Sequence, residues 1–192
     1  MGQLSLKLAA WVTAICAMLE FFVGVSCNSM ALTTDSGYMA SDAAALFMAI
    51  WAIKSSKVRS CMMWLSSIMM LMVVFYMANA AISAWSNPEP MAGVGVLLVS
   101  TVGLLINIWV SKGLLGMKND RNIQVAHLHV ICDMLGSAIA VISGSMALIG
   151  FDAKVDIILS LISAFGVGLA TLILMYKMLQ VSYYCQPNVE SN

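Results

Sequence analysis

The sequence has 192 residues, of which 61% are apolar and 9% charged, against roughly a quarter charged in an ordinary soluble domain. That composition excludes a water-soluble globule and points to a membrane protein. Nine lysines and arginines balance nine aspartates and glutamates, so net charge gives no ground for a nucleic-acid partner and the informative quantity is where each charge sits.

A helix crosses the hydrocarbon core of a bilayer with about 20 apolar residues. The first apolar run, about 6–27, follows "MGQLSLK". This start lacks a basic segment with a small-residue cleavage site and has Leu6 where myristoylation wants Ser or Thr. The run is therefore expected to stay as a span, and it carries Glu20. The second, about 35–53, opens on "DSGYMASD" and places Asp35, Tyr38 and Asp42 in an otherwise apolar stretch. The third, about 61–85, ends before "NPEP", which cannot continue a helix. The fourth, about 91–111, contains Asn107, the fifth, about 123–149, contains His129 and Asp133, and the sixth, about 155–176, opens near Asp156. The connections "KSSKVR", "SKGLLGMKNDR" and "GFDAKVD" are short and charged.

Six spans with a cytoplasmic N-terminus put Lys7, Lys54, Lys57, Arg59, Lys112, Lys118, Arg121 and Lys177 on the cytoplasmic side and leave only Lys154 outside. That asymmetry is the one expected of a multi-pass protein with both termini cytoplasmic. The five cysteines show no C-x-x-C spacing and are expected to be buried thiols rather than a disulfide framework or zinc knuckle. The 17 methionines are spread over every run, as packing and lipid-facing residues are, rather than gathered as thioether ligands for copper.

Ionisable groups at membrane depth are costly and mark functional sites. Tyr38 and Asp42 are four residues apart, as are His129 and Asp133. Four residues advance a helix by about 400°, so each pair shares a face. Two such helices can enclose a cation with imidazole and carboxylate ligands, a set that suits zinc and tolerates manganese, iron(II) and cobalt. The same spacing in the fifth run also fits a hydrogen-bonded structural pair, and proton handling is the other function of such groups. Asp35 is either an additional ligand or the N-cap of the second helix. Glu20 is either a proton-carrying group behind the ligands or a structural one. His127 is expected to face away from the site, and Cys132 is turned by about 100° from Asp133.

Several passages together resemble the cation diffusion facilitator family of zinc transporters. "EFFVGVSCNSMALTTDSGYMASD" (Glu20 to Asp42) is similar to that family's first-to-second-helix passage, "ISAWSNPEP" and "GLLINIW" to its third and fourth helices, "NIQVAHLHVICDMLGS" to its fifth, and "DIILS" to the start of its sixth. The resemblance implies an all-α fold of six transmembrane helices. It also implies efflux of a divalent cation, zinc first, from the cytosol in exchange for protons by alternating access. The implied metal ligands are Asp42, His129 and Asp133, with Tyr38 where zinc-transporting members have His or Asp. A phenol is a poor neutral ligand, which leaves three consequences open: water in the fourth position, a site shifted toward manganese or iron(II), or a non-transporting subunit.

Family members work as homodimers or heterodimers, and the small-residue patterns "GSAIA" and "AFGVG" suit close helix contacts. The domain organisation expected is a transmembrane unit over 1–186 and a short cytoplasmic tail over 187–192, without the usual cytoplasmic metal-binding domain. The expected location is an organelle, vesicle or plasma membrane. The motifs indicate no catalysis, so the chain is expected not to be an enzyme.

Overall fold

The computed structural model describes residues 2–51, 56–115 and 121–184, with side-chain surroundings for residues 7–48, 50–51, 61–112, 131 and 133–180. The described residues form six α-helices: α1 Gly2–Ser26, α2 Met30–Trp51, α3 Ser56–Ala84, α4 Gly93–Leu115, α5 Arg121–Leu148 and α6 Lys154–Tyr184. Each covers one of the apolar runs. An apolar surrounding forces this outcome, because only a helix satisfies every backbone N–H and C=O within its own segment. The proposed tail, 187–192, lies outside the described residues.

Two helix ends are fixed by the same device. Asn28 takes φ 54° and Gly150 φ 90°, the left-handed conformation that terminates a helix. Ser29 N then donates to Gly24 O at 2.9 Å after α1, and Phe151 N to Met146 O at 3.1 Å after α5. Only Cys27, Asn28 and Ser29 separate α1 from α2. Ser29 immediately begins the next helix, its hydroxyl accepting Leu32 N at 3.2 Å as an N-cap. The expected capping role of Asp35 is thus corrected: α2 starts before it, and Asp35 lies more than a turn inside. The hydropathy of the run rises later than the helix does, because α2 opens with "MALTTDSG".

The start of α2 is held a second time, by Asp156 of α6. Its carboxylate accepts from Ser29 Oγ at 2.9 Å, from Met30 N, from Ala31 N at 3.3 Å and from Ser143 Oγ of α5. A carboxylate at a helix N-terminus meets exposed N–H groups and the positive end of the helix dipole. Ala92 N donates to Cys27 O at 3.0 Å, which ties the approach to α4 onto the same turn.

α2 packs against α1, α3, α5 and α6, while α4 packs against α1 and α5. Small residues set the closest approaches. A Cβ on Gly144 of α5 would lie 2.7 Å from Leu97 N of α4, and one on Gly24 of α1 would lie 2.9 Å from Thr33 N of α2. The two small-residue patterns are largely used inside the chain: Gly136 meets α2, Ala140 packs with Leu32 and Val96, and Gly168 meets Val74, while Gly166 faces open space.

The interior mixes polar with apolar side chains while the exterior is apolar, unlike a soluble bundle. Glu20, Ser29, Thr34, Asp35, Asp42, Ser100, Asn107, Asp133, Ser137 and Asp156 are all buried, whereas Phe22, Phe75 and Phe165 point outward. Four described segments are long and apolar enough to cross a bilayer: Lys7–Ser26, Cys61–Ala84, Gly93–Lys112 and Lys154–Gln180. α5 contributes the shorter apolar stretch Asp133–Leu148. α2 is not among the four, because its acidic and hydroxyl residues lower its hydropathy, and its neighbours shield them. The expectation of buried thiols holds for Cys16, but Cys27 is half-buried and Cys61 exposed on α3, all three being free. A thiol is apolar enough to need no core position in such a surface. Cys132 and Cys185 have side chains outside the described residues.

Candidate functional site

The contact between α2 and α5 brings the two sequence pairs onto neighbouring helices. Asp42 on α2 and Asp133 on α5 are both buried, at 4% and 1% exposure. His129 lies one turn before Asp133 on the α5 backbone, but its side chain, like that of His127, is outside the described residues. Among the described residues no three His, Cys, Asp or Glu side chains gather as a metal site.

Tyr38 is fully buried, and its ring belongs to a cluster with Met70 of α3 and Val167 of α6, flanked by Val73, Val74 and Ala170. The edge of the ring lies toward Gly136 of α5, and the hydroxyl has Ser163 of α6 as its polar neighbour. The phenol thus fills the space between α2, α3 and α6.

Asp35 belongs to a different assembly. Its Oδ2 accepts from Ser137 Oγ of α5 at 2.6 Å, and the same Ser137 Oγ accepts from Asn107 Nδ2 of α4 at 3.0 Å. Glu20 of α1 is the facing carboxyl group, and its Oε1 receives Cys16 Sγ at 3.8 Å. Gly103 of α4 lies against Glu20, and Gly136 of α5 against Asp35, so closely that a Cβ at either glycine would overlap the carboxyl group. Glu20, Asp35, Asn107 and Ser137 are each no more than 1% exposed.

Ser137, Gly103 and Gly136 were not singled out from the sequence. The signal for Gly103 and Ser137 is the spacing already used for the two pairs: Gly103 and Asn107, and Asp133 and Ser137, are likewise four residues apart, so each couple shares a helix face.

The cation efflux transmembrane domain family matches residues 6–184. The chain belongs to this family. It is an integral, multi-pass membrane protein, in agreement with its apolar exterior and membrane-length helices. Similar proteins include the zinc transporter ZitB of Pectobacterium atrosepticum, 32% identical over 84% of this chain and 55% of the relative. Others are the cadmium, cobalt and zinc/H(+)-K(+) antiporter of Bacillus subtilis, 30% identical over 66% of this chain and 46% of the relative, and the metal cation efflux system protein CzcD of Cupriavidus metallidurans, 29% identical over 76% and 50%. The chain spans about half the length of these relatives. Their names also correct the bare expectation of a protein that is simply no enzyme: antiporters carry out a vectorial exchange of ions, so the class that describes this family is transport, with no chemical conversion of a substrate shown.

Proposed function

We propose that this chain moves a divalent cation, zinc first, out of the cytosol in exchange for protons by alternating access. Asp42, His129 and Asp133 bind the ion and water completes the shell, as three protein ligands plus water do in many open zinc sites. The observation that carries the reading is the packing of α2 on α5 with Asp42 and Asp133 both buried. The two carboxyl groups enter the same bundle from adjacent helices. The names of the relatives support a divalent transition metal as cargo.

In this reading all six helices cross the membrane and both termini are cytoplasmic, the arrangement favoured by the lysine and arginine distribution. Metal binding requires deprotonated ligands, so loading from the cytosol releases protons and unloading on the far side takes them up. Asp35 is left out of the metal shell, since Ser137 and Glu20 engage it. Tyr38 supports two further readings. An oxygen-richer shell with the phenol drawn in favours manganese or iron(II), and a phenol held in the α3–α6 cluster suits a non-transporting subunit that heterodimerises with an active relative, whereas the transporting reading fits either a homodimer or a heterodimer.

The test is metal uptake into liposomes containing only this protein, with zinc and manganese offered separately under an imposed pH gradient. Native protein is expected to accumulate zinc, and Asp133→Ala to lose essentially all of that flux. Unchanged flux in Asp133→Ala overturns the site. No flux in native protein but zinc flux in Tyr38→His selects the partner-subunit reading.

A further inference from the structure

We infer that Glu20 and Asp35 form a proton-carrying pair between α1 and α2, separate from the metal ligands. The inference rests on the transport reading above for its role and on the buried geometry for its existence.

Each carboxyl group has one oxygen occupied and one left over. Ser137 holds Asp35 Oδ2 and Cys16 holds Glu20 Oε1, while Asp35 Oδ1 and Glu20 Oε2 are buried without any hydrogen-bond partner. An ionised carboxylate only accepts hydrogen bonds, so two of them facing each other leave both spare oxygens unsatisfied, at a cost that a buried site does not sustain. One proton placed between them satisfies both. The carboxyl groups are seated tightly, Asp35 Oδ1 against Gly136 of α5 and Glu20 Oε1 against Gly103 of α4.

The surroundings supply no competing cation. No lysine or arginine is buried among the described residues. On α1 the neighbouring titratable group is Cys16, on α2 Tyr38 and, two turns along, Asp42, and on α5 Asp133. α4 presents only Gly103 and Asn107, and α6 reaches this region through Ser163 beside Tyr38. From α3, Met70 packs on Tyr38 and brings no charge. The side chains of His127, His129 and Cys132 lie outside the described residues.

The division of labour follows from the chemistry. With a phenol at position 38, the metal shell has one titrating group fewer than an imidazole would give it, and the pair restores one. Arrival of a dication at Asp42, His129 and Asp133 favours the doubly ionised pair, which releases its proton to water on the side to which the site is open. Departure of the ion takes one proton back.

The experiment uses the full chain in liposomes, with Glu20→Gln and Asp35→Asn, both close to isosteric. Infrared spectra of the zinc-free protein are expected to show a protonated-carboxyl C=O band that is missing from each variant. Absence of that band in native protein, or its persistence in both variants, overturns the pair. In weakly buffered solution, proton release per zinc bound is expected to fall by about one in the variants. Their zinc affinity is expected to fall by about tenfold or more, because a group that gives up a proton when the metal binds is coupled to that affinity by the same factor. Unaltered release with normal zinc flux overturns the pair and leaves the transport reading standing. A band of the expected behaviour in a protein that moves no metal supports the pair and overturns the transport reading.

Discussion

Tyr38 and Asp35 are three residues apart on α2 and have opposite surroundings, one apolar cluster and one polar network. If Tyr38 only packs, as its contacts with Met70 and Val167 indicate, Tyr38→Phe keeps the ring and is expected to keep zinc flux within about twofold of native, equivalent to about 0.4 kcal/mol. Tyr38→His adds an imidazole ligand and is expected to tighten zinc binding by at least about tenfold, equivalent to about 1.4 kcal/mol. Equilibrium zinc binding and uptake measured on both variants decide the matter, and loss of flux in Tyr38→Phe would make the phenol a ligand. The acidic residues themselves were legible from sequence, since carboxyl groups in apolar runs stand out. What Asp35 binds was not, because Ser137 and the two glycines are ordinary residues in a membrane helix, and their importance comes only from the helix facing them.

At the scale of elements, the existence of each helix was legible in its apolar run, and its start was less so. α2 shows why: a central helix shielded by four neighbours does not need the hydropathy of one facing lipid, so its polar first turns read as a loop. The grip of Asp156 on α2 was invisible for a different reason, since its partners Ser29, Met30, Ala31 and Ser143 come from two other helices. Asp156→Asn keeps the volume but loses the charge and part of the acceptor capacity. A hydrogen bond to a charged group is worth about 1.5–3 kcal/mol, so the variant is expected to lose about that much stability. Thermal unfolding of the purified protein in detergent measures it, and an unchanged midpoint would show that the grip contributes nothing.

For the whole molecule, the charge distribution predicts orientation, and the fold adds a marker for it. Lys154 stands above the ring of Trp85 at 5.5 Å, at the end of the bundle where α3 finishes and α6 begins. A membrane-impermeant amine reagent applied to intact cells or right-side-out vesicles is expected to label Lys154 and spare Lys7, Lys112 and Lys177. Mapping the labelled peptides tests this, and labelling of Lys112 from outside would reverse the topology. The fold class and the number of helices were legible because a bilayer permits so few arrangements. The order in which the helices pack was not, because hydropathy says which residues are apolar but not which of two apolar surfaces meets the other.

The turn that joins α1 to α2 spans only Cys27, Asn28 and Ser29. Two arms joined so closely, and pressed together again at Gly24 and Thr33, cannot be prised apart at that end. Under the proposed alternating access, a doorway at that end opens along a different seam, between this hairpin and its neighbours, of which α5 and α6 meet it through Asp156 and Ser143. Glu20 and Asp35 sit on the two arms of the one hairpin, so in the proposed cycle whatever lies between them travels as a passenger with it, while the Ser137 contact to α5 is the one that such a movement would strain.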